Sequence, residues 1–438
     1  MTKQEKYELV HWVIGQALKN GAQEAAAGIS DSFSSRIEVR DRKIDKLEQA
    51  NQNSLGIRLY VDRKYSEHST NRLRKSDLER FIREAVAATR YLSEDEFRTL
   101  PDPDLYYKGG GPQLNNLDPQ FTDVLPQRKI DLAFAVENEI AGKDERIISV
   151  SANYGDGMGS RVVATSNGFH GETANSYYSL WANVSVKGGD ARPSAGWNES
   201  AIFFDRLKTA GIGDTALQRA LGKIGQRKID SARLPMIVEN VTAARLLSPL
   251  VAALSGSAIQ QKNSFLIDRL GQKVASEALT LTDDPHIPGG RASRLFDGEG
   301  LESKKISVFE KGILKSYYID TYYAKKLNVN PTTGSTSNMI LEPGGKSLDQ
   351  MIASLDRGIL VTGFNGGNSN GSTGDFSFGI DGYLIEKGAI VQPVSEMNIT
   401  GNMLQLWANF AEACNDFRED SSWRIPSLLF NDVDFSGI

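Results

Sequence analysis

Between residues 363 and 402 glycines recur every few positions within alternating apolar and polar runs, and this pattern constrains the fold more than any other stretch. Gly363-Phe364-Asn365-Gly366-Gly367 is followed by Gly374-Asp375-Phe376-Ser377-Phe378-Gly379, then by Pro393-Val394-Ser395-Glu396-Met397-Asn398-Ile399-Thr400-Gly401-Asn402. Tyr383-Leu384-Ile385-Glu386, Lys387-Gly388 and Ala389-Ile390-Val391 predict strand, tight turn, strand, with the glycine taking a positive φ that other residues adopt at a cost. Glycine within strands marks either a bulge or a close approach of backbone to a neighbour, so the segment predicts closely wound β structure.

The rest of the chain reads as alternating helices and strands. Its 438 residues exceed one ordinary core and imply two or three domains. Residues 7–18 place Leu9, Trp12, Val13 and Ala17 at helical spacing, with Asn20-Gly21 as the stop. Strands are expected over 24–33, 36–40 and 55–62. Ser76-Asp77-Leu78-Glu79 has the form of a capping box opening a helix whose stripe is Leu78, Phe81, Ile82, Ala85 and Val86. Residues 93–112 are acidic, then rich in proline and glycine, and read as a linker or lid. A second round follows: a helix over 126–141 with Ile130, Ala133, Phe134, Glu137 and Ile140 along one side, then strands over 147–153, 161–166 and 172–187. The last alternates over Ser176, Tyr178, Leu180, Ala182 and Val184. A helix over 214–222, a connector over 228–234 and a strand from Met236 lead into a further helix and the glycine-punctuated region. The expected class is α+β: an N-terminal α/β part in two subregions (1–95 and 114–227, joined by 96–113), followed by a β-rich C-terminal domain (235–438).

Candidate chemistry is sparse. Of four histidines, His11, His68, His170 and His286, no two have helical metal-ligand spacing. His11 reads as a packed residue beside Trp12, and His68 as a solvent-facing residue in a polar run. His286, after Asp283-Asp284-Pro285, sits in a turn whose donors rarely converge on one ion without a partner from elsewhere. The single cysteine, Cys414, reads as a small buried hydrophobe. No G-x-S-x-G elbow occurs. Asn365-Gly366-Gly367-Asn368 can bring amide groups to an extended chain or can simply turn. Asp297 and Glu299, between glycines, are turn formers or, if functional, charge on a cleft wall.

The order of these motifs resembles the TldD/PmbA family, also called modulator of DNA gyrase proteins. The resemblance rests on the segments above, on Lys262-Asn263-Ser264-Phe265-Leu266, Phe296-Asp297-Gly298-Glu299-Gly300 and Asn415-Asp416, and more thinly on Ser54-Leu55-Gly56-Ile57-Arg58 and Ser166-Asn167-Gly168-Phe169. It leans to the PmbA (TldE) branch. In the TldD branch a helical H-E-x-x-x-H holds a metal ion, and its glutamate serves as general base. The corresponding residues here, placed by Leu246-Leu247 and Gly256, are Ser248, Pro249, Leu250, Val251, Ala252 and Ala253. With Ser248, Pro249 and Ala253 at its key positions, the site is degenerate. Ser248 as N-cap and Pro249 at the first position predict a fresh helix running to Gly256.

The resemblance thus implies a subunit without metal, cofactor or catalytic residues of its own. It would supply cleft and assembly contacts to a TldD-like metallopeptidase subunit acting on unfolded peptide. The candidate cleft residues are Asn365, Gly366, Gly367, Asn368, Asp297 and Glu299. Two alternatives remain: a peptide-binding scaffold that assembles with itself, and an independent non-metal hydrolase. With 50 basic and 55 acidic residues the net charge is -5, so no global attraction to nucleic acid or anionic lipid is expected. No apolar run approaches the roughly 20 residues that span a bilayer. One cysteine and a charged N-terminal segment lead to a cytoplasmic expectation.

Overall fold

A computed structural model describes residues 1–437, a mixed α/β chain whose C-terminal region is rich in strand. Helix α1 (Lys3–Lys19) leads into strands β1 (Glu24–Arg40), β2 (Lys43–Val61) and β3 (Lys64–Thr70), then α2 (Lys75–Thr89) and α3 (Pro126–Asn138). Strands β4 (Ile147–Thr165), β5 (His170–Val186) and β6 (Ser194–Ala201) follow, then α4 (Ile212–Leu221). All six strands form one sheet in the order β3-β2-β1-β4-β5-β6, so a single continuous sheet underlies both N-terminal subregions.

The strands are longer than expected. β1 does not break at Ser34-Ser35, and β2 includes the mostly polar residues 43–54, nearly all exposed. Alternation is silent there because pairing with β1, not burial, holds the segment. Asp41 and Arg42 turn the hairpin with φ of 51° and 60°. β4 likewise runs through Gly155, Gly157 and Gly159. A Cβ on Gly157 would stand 2.6 Å from the Tyr177 ring, so these glycines let β5 side chains lie across the sheet rather than interrupt it. The expected inward set of β5, Ser176 to Val184 at every second residue, is buried throughout.

All four helices cover one face. α1 and α2 seal Ala25, Ala27, Ile29, Leu55, Ile57 and Leu59. α3 and α4 seal Ile37, Tyr154, Tyr178 and Leu180. α2 begins at Lys75 with Arg74 as its N-cap and no side-chain cap bond, so Ser76 lies inside the helix and the expected capping box is absent. On α3 the buried side is Lys129, Leu132, Ala133, Val136 and Glu137, with Ile130 and Phe134 only half-buried. Lys129 turns inward because it pairs with the fully buried Asp156 at 2.5 Å.

The C-terminal region begins with β7 (Ala232–Val238), α5 (Asn240–Ala253) and α6 (Gly256–Gln260). A small five-stranded sheet is built from β8 (Leu281–Asp284), β9 (Ile306–Glu310), β10 (Ile313–Leu314), β11 (Asn338–Leu341) and Trp423–Arg424, with α7 (Thr321–Leu327) between β10 and β11. The larger sheet comprises β12 (Arg357–Phe364), β13 (Asn368–Ser369), β14 (Asp375–Glu386), β15 (Ala389–Asn402), β16 (Phe410–Ala413) and, following Trp423–Arg424, β18 (Leu428–Ser436), counting that short strand as β17. β12 pairs with β7, β7 with β18, β18 with β15, β15 with β14, and β14 again with β12, so the ladder closes on itself. Met236, Val238, Ile359 and Val361 pack on one side of it, and Ile237, Leu360, Ile385 and Leu429 on the other. The expected hairpin stands, with both Lys387 and Gly388 at positive φ.

Candidate functional site: a cleft on the open face of the N-terminal sheet

The face of the six-stranded sheet opposite α1–α4 has no helix on it. There Ala26, Gly28 and Ser30 of β1 lie beside Arg58, Gly56 and Ser54 of β2, and Arg161 and Val163 of β4 complete the floor. Small side chains leave a cleft of about 410 Å³. Gly298, in the loop that carries Asp297 and Glu299, lies at its edge, and the Arg58 guanidinium donates to the Gly298 carbonyl at 3.4 Å. A second lobe of about 310 Å³ shares Arg58, Glu67 and Gly298 and continues past Tyr60, Tyr65, Asp297, Glu299 and Tyr322.

The segment expected as linker or lid is packed along this second lobe. Arg98 lies 3.6 Å from the Tyr322 ring centre and 4.7 Å from that of Tyr65. Tyr322 donates to Asp95 at 2.7 Å, the Asn167 amide donates to the Pro101 carbonyl at 2.8 Å, and Tyr107 N–H donates to Gly300 at 3.0 Å. Tyr106, Phe169 and Phe296 close the base as an aromatic cluster.

Charge is divided along the cleft. Asp297 accepts from the Glu299 and Leu301 amides, and Glu299 accepts from the Thr321 amide and hydroxyl, so both acids are engaged by the loops they order. Burial raises the Glu299 carboxyl above its ordinary value against those two bonds, and burial pushes the Tyr60 phenol up to about 12. Glu67 of β3 stands opposite Arg58 and lines both lobes, its carboxylate accepting from the Tyr65 hydroxyl, and among the described residues no ion pair within 4.0 Å joins a carboxylate to Arg58 or Arg161. Arg161 lies across Gly28, where an added Cβ would meet its Nε at 3.3 Å. Surrounding protein, then the Arg58 charge, hold Arg161 below its ordinary value.

The other candidate cleft residues lie elsewhere. Asn365 donates to Asp381 at 3.1 Å and Gly367 carbonyl accepts from Arg245 at 2.8 Å, while Asn368 begins β13. A Cβ on Gly367 would fall 2.0 Å from the Ser377 carbonyl, so the close backbone approach is to the neighbouring strand. This loop shares neither cavity nor hydrogen-bond partner with Asp297 and Glu299.

α5 is continuous from Asn240 to Ala253 with Pro249 inside it, which corrects the expected fresh start at Ser248. Pro249 has no N–H for the Arg245 carbonyl, but burial of Leu246, Leu247, Leu250 and Ala253 against the closed sheet holds the helix through that gap. The second helix starts later, at Gly256, with Ser255 as the cap, so Gly256 opens a helix and does not stop one. Along 248–253 the only side-chain donor atom is the exposed Ser248 hydroxyl. Cys414 lies on the other side of the sheet in a separate apolar cluster, its thiol pushed up to about 12 chiefly by burial. These residues do not fit a metallopeptidase centre.

The histidines are separated in the same way. His286 closes a turn on Asp284, Asp283 is engaged by Ser337 and Tyr318, and Asp284 pairs with Lys305 at 3.3 Å. His68 is not solvated by default: its ring stands edge-on to Phe81 of α2 and bonds Ser66 at 2.9 Å. Among the described residues no three His, Cys, Asp or Glu side chains gather as ligands.

A six-stranded sheet covered by helices on one face, followed by a C-terminal sheet that closes on itself, defines a two-part α+β protein. Residues 25–89, 119–224 and 231–437 match, in turn, domain 1, the central domain and the C-terminal domain of the PmbA/TldA metallopeptidases, and the chain belongs to the PmbA/TldD family. It is similar to a solved structure described as a putative modulator of DNA gyrase from Bacteroides thetaiotaomicron, at 50% identity with all of both chains covered and a TM-score of 0.98. A protein of Haemophilus influenzae called metalloprotease PmbA homolog is 29% identical, over 99% of this chain and 97% of that one. The fold is also that of TldE from Thermococcus kodakarensis, at 22% identity and a TM-score of 0.85, over 98% of this chain and 100% of that one. No helix among the described residues is long and apolar enough to cross a membrane.

Proposed function

We propose that this chain is the subunit of a TldD-type metallopeptidase complex that binds unfolded peptide and positions it for a metal-bearing partner, without hydrolysing it alone. The observation that carries the reading is α5: the residues at the family's metal positions, Ser248, Pro249 and Ala253, supply no ligand and no general base, and the helix instead buries Leu250 and Ala253. Amide hydrolysis needs an activated water or nucleophile, and losing a metal with its base removes contributions of several kcal/mol each. Binding survives that loss, and the cleft on the open sheet face remains.

An independent serine mechanism has one geometric candidate, Ser35 beside Lys129. There Ser35 donates to Asp156 at 2.5 Å and Lys129 pairs with the same carboxylate, so the serine hydroxyl is directed at the aspartate and not at the lysine nitrogen. That cluster is a buried ion pair, not a catalytic dyad.

The test is proteolysis of an unstructured peptide by this chain, by a TldD-like metallopeptidase subunit, and by their mixture, with and without chelator. Cleavage that the mixture extends beyond the partner alone, and that chelator abolishes, supports the reading. Chelator-resistant cleavage by this chain alone defeats it. Failure to form any complex would favour a peptide-binding scaffold that assembles with itself.

A further inference from the structure

We propose that Arg58 and Arg161 form a receptor for the terminal carboxylate of an unfolded peptide, which rests on the peptide-binding reading above and gives it a polarity. The two arginines come from β2 and β4, and the row Gly56-Gly28 of β2 and β1 runs between them on the open face. A Cβ on Gly56 would meet nothing within 4 Å, so space for a ligand opens directly above that residue. Gly28 lets the Arg161 guanidinium lie low across the strand, and one Arg58 N–H is fixed by the Gly298 carbonyl. The guanidiniums are thereby partly positioned before any ligand arrives, while most of their donors stay unused.

Three features favour a carboxylate end over other parts of a peptide. The floor strands β1, β2 and β4 lie inside the sheet, with neighbours paired on both sides, so a peptide backbone cannot join them by strand addition there. Recognition must come from side chains, and the small floor residues offer little apolar area. Against a chain of net charge -5, two arginines without a carboxylate partner form a local positive site, and a guanidinium binds a carboxylate through two parallel charge-assisted hydrogen bonds. The acid on the floor itself, Glu67 opposite Arg58, is engaged by the Tyr65 hydroxyl, and Asp297 and Glu299 in the adjoining lobe are held by backbone amides, so none of the three is paired with an arginine of the site. They also set a direction, because a second negative charge on the ligand would be repelled toward the arginine lobe.

The same chemistry suits an acidic side chain or a phosphate, and the experiment separates these sources. Binding of a labelled unstructured peptide to the full chain alone is measured by fluorescence anisotropy for the free acid, the C-terminal amide, and an amide with an internal glutamate, with inorganic phosphate as competitor. Amidation is expected to weaken binding by about tenfold, as for loss of one charge-assisted bidentate contact. Arg58→Gln and Arg161→Gln should each weaken the free acid similarly and leave the amide unchanged. Gly56→Asp, which places a tethered carboxylate at the site, should abolish the preference for the free acid. Equal binding of acid and amide peptides overturns the proposal, and needs no variant to fold. Binding of the internal-glutamate amide as tightly as the free acid overturns the terminal assignment, as does full displacement by phosphate together with indifference to amidation. No partner subunit or hydrolysis enters this assay. An active complex with acid-indifferent binding would leave the subunit reading intact and remove only this inference.

Discussion

The two large sheets of this molecule are finished differently. The C-terminal sheet closes on itself and is packed on both sides, with Met236 and Val238 facing one cluster and Ile237 the other. The N-terminal sheet is covered by helices on one side only, and its other face is packed in part, Ala26 and Tyr60 under Leu100 and Val163 under Tyr106, Phe169 and Phe296. The open remainder is floored by glycine, alanine and serine, with Arg58, Arg161 and Glu67 along it and neither arginine in an ion pair. Sealed layers supply cohesion and tolerate little change in volume. An open face contributes less to stability and is the part that remains available to a ligand, so the region richest in family motifs is the frame, while the cleft lies mainly on the half where those motifs are thin.

The comparison can be broken most easily in the sealed sheet. Phe430 is fully buried against Trp407 and Phe410, and Phe430→Ala should cost about 4 kcal/mol in chemical denaturation, as for other buried aromatics truncated without collapse. On the covered face of the N-terminal sheet, Lys129→Ala leaves Asp156 with an uncompensated buried charge, and a loss of about 3 kcal/mol is expected in the same measurement. On the open face, Gly56→Ala should change stability by less than about 1 kcal/mol and in the stabilising direction, because the added methyl meets nothing and glycine in a strand is entropically costly. A destabilisation by Gly56→Ala as large as that by Lys129→Ala would mean that the open face is packed, and the contrast would fall.

Much of this was legible in residue order. The every-second-residue set on β5 and the Lys387-Gly388 turn are visible in the sequence because one face is buried and one turn type fits. Helix starts are less visible. Ser76 and Ser248 each precede plausible helical spacing, yet α2 is capped two residues earlier, at Arg74, and α5 passes through Pro249, because burial against a sheet outweighs a local cap or a missing hydrogen bond. The cleft was half visible. Asp297 and Glu299 line its second lobe, whereas Arg58 ends the Ser54–Arg58 motif with no chemical signature of its own, and Arg161 belongs to a strand whose glycines mask its continuity. No local signal pairs two arginines from different strands; only register does. The Asn365–Asn368 loop carried the strongest glycine signal, and its close approach proved to be to Ser377 of its own sheet.

The closed ladder of the C-terminal sheet also orders events in time. β7, at residues 232–238, lies between β12 and β18, and β18 spans residues 428–436. On a chain leaving the ribosome, β7 therefore waits for nearly two hundred residues of synthesis before its second edge is covered, whereas β1 meets β2 across a two-residue turn at once. The half that carries the cleft can assemble early; the half that frames it stays open-edged until the end, and that interval is when the nascent protein is most exposed to mispairing.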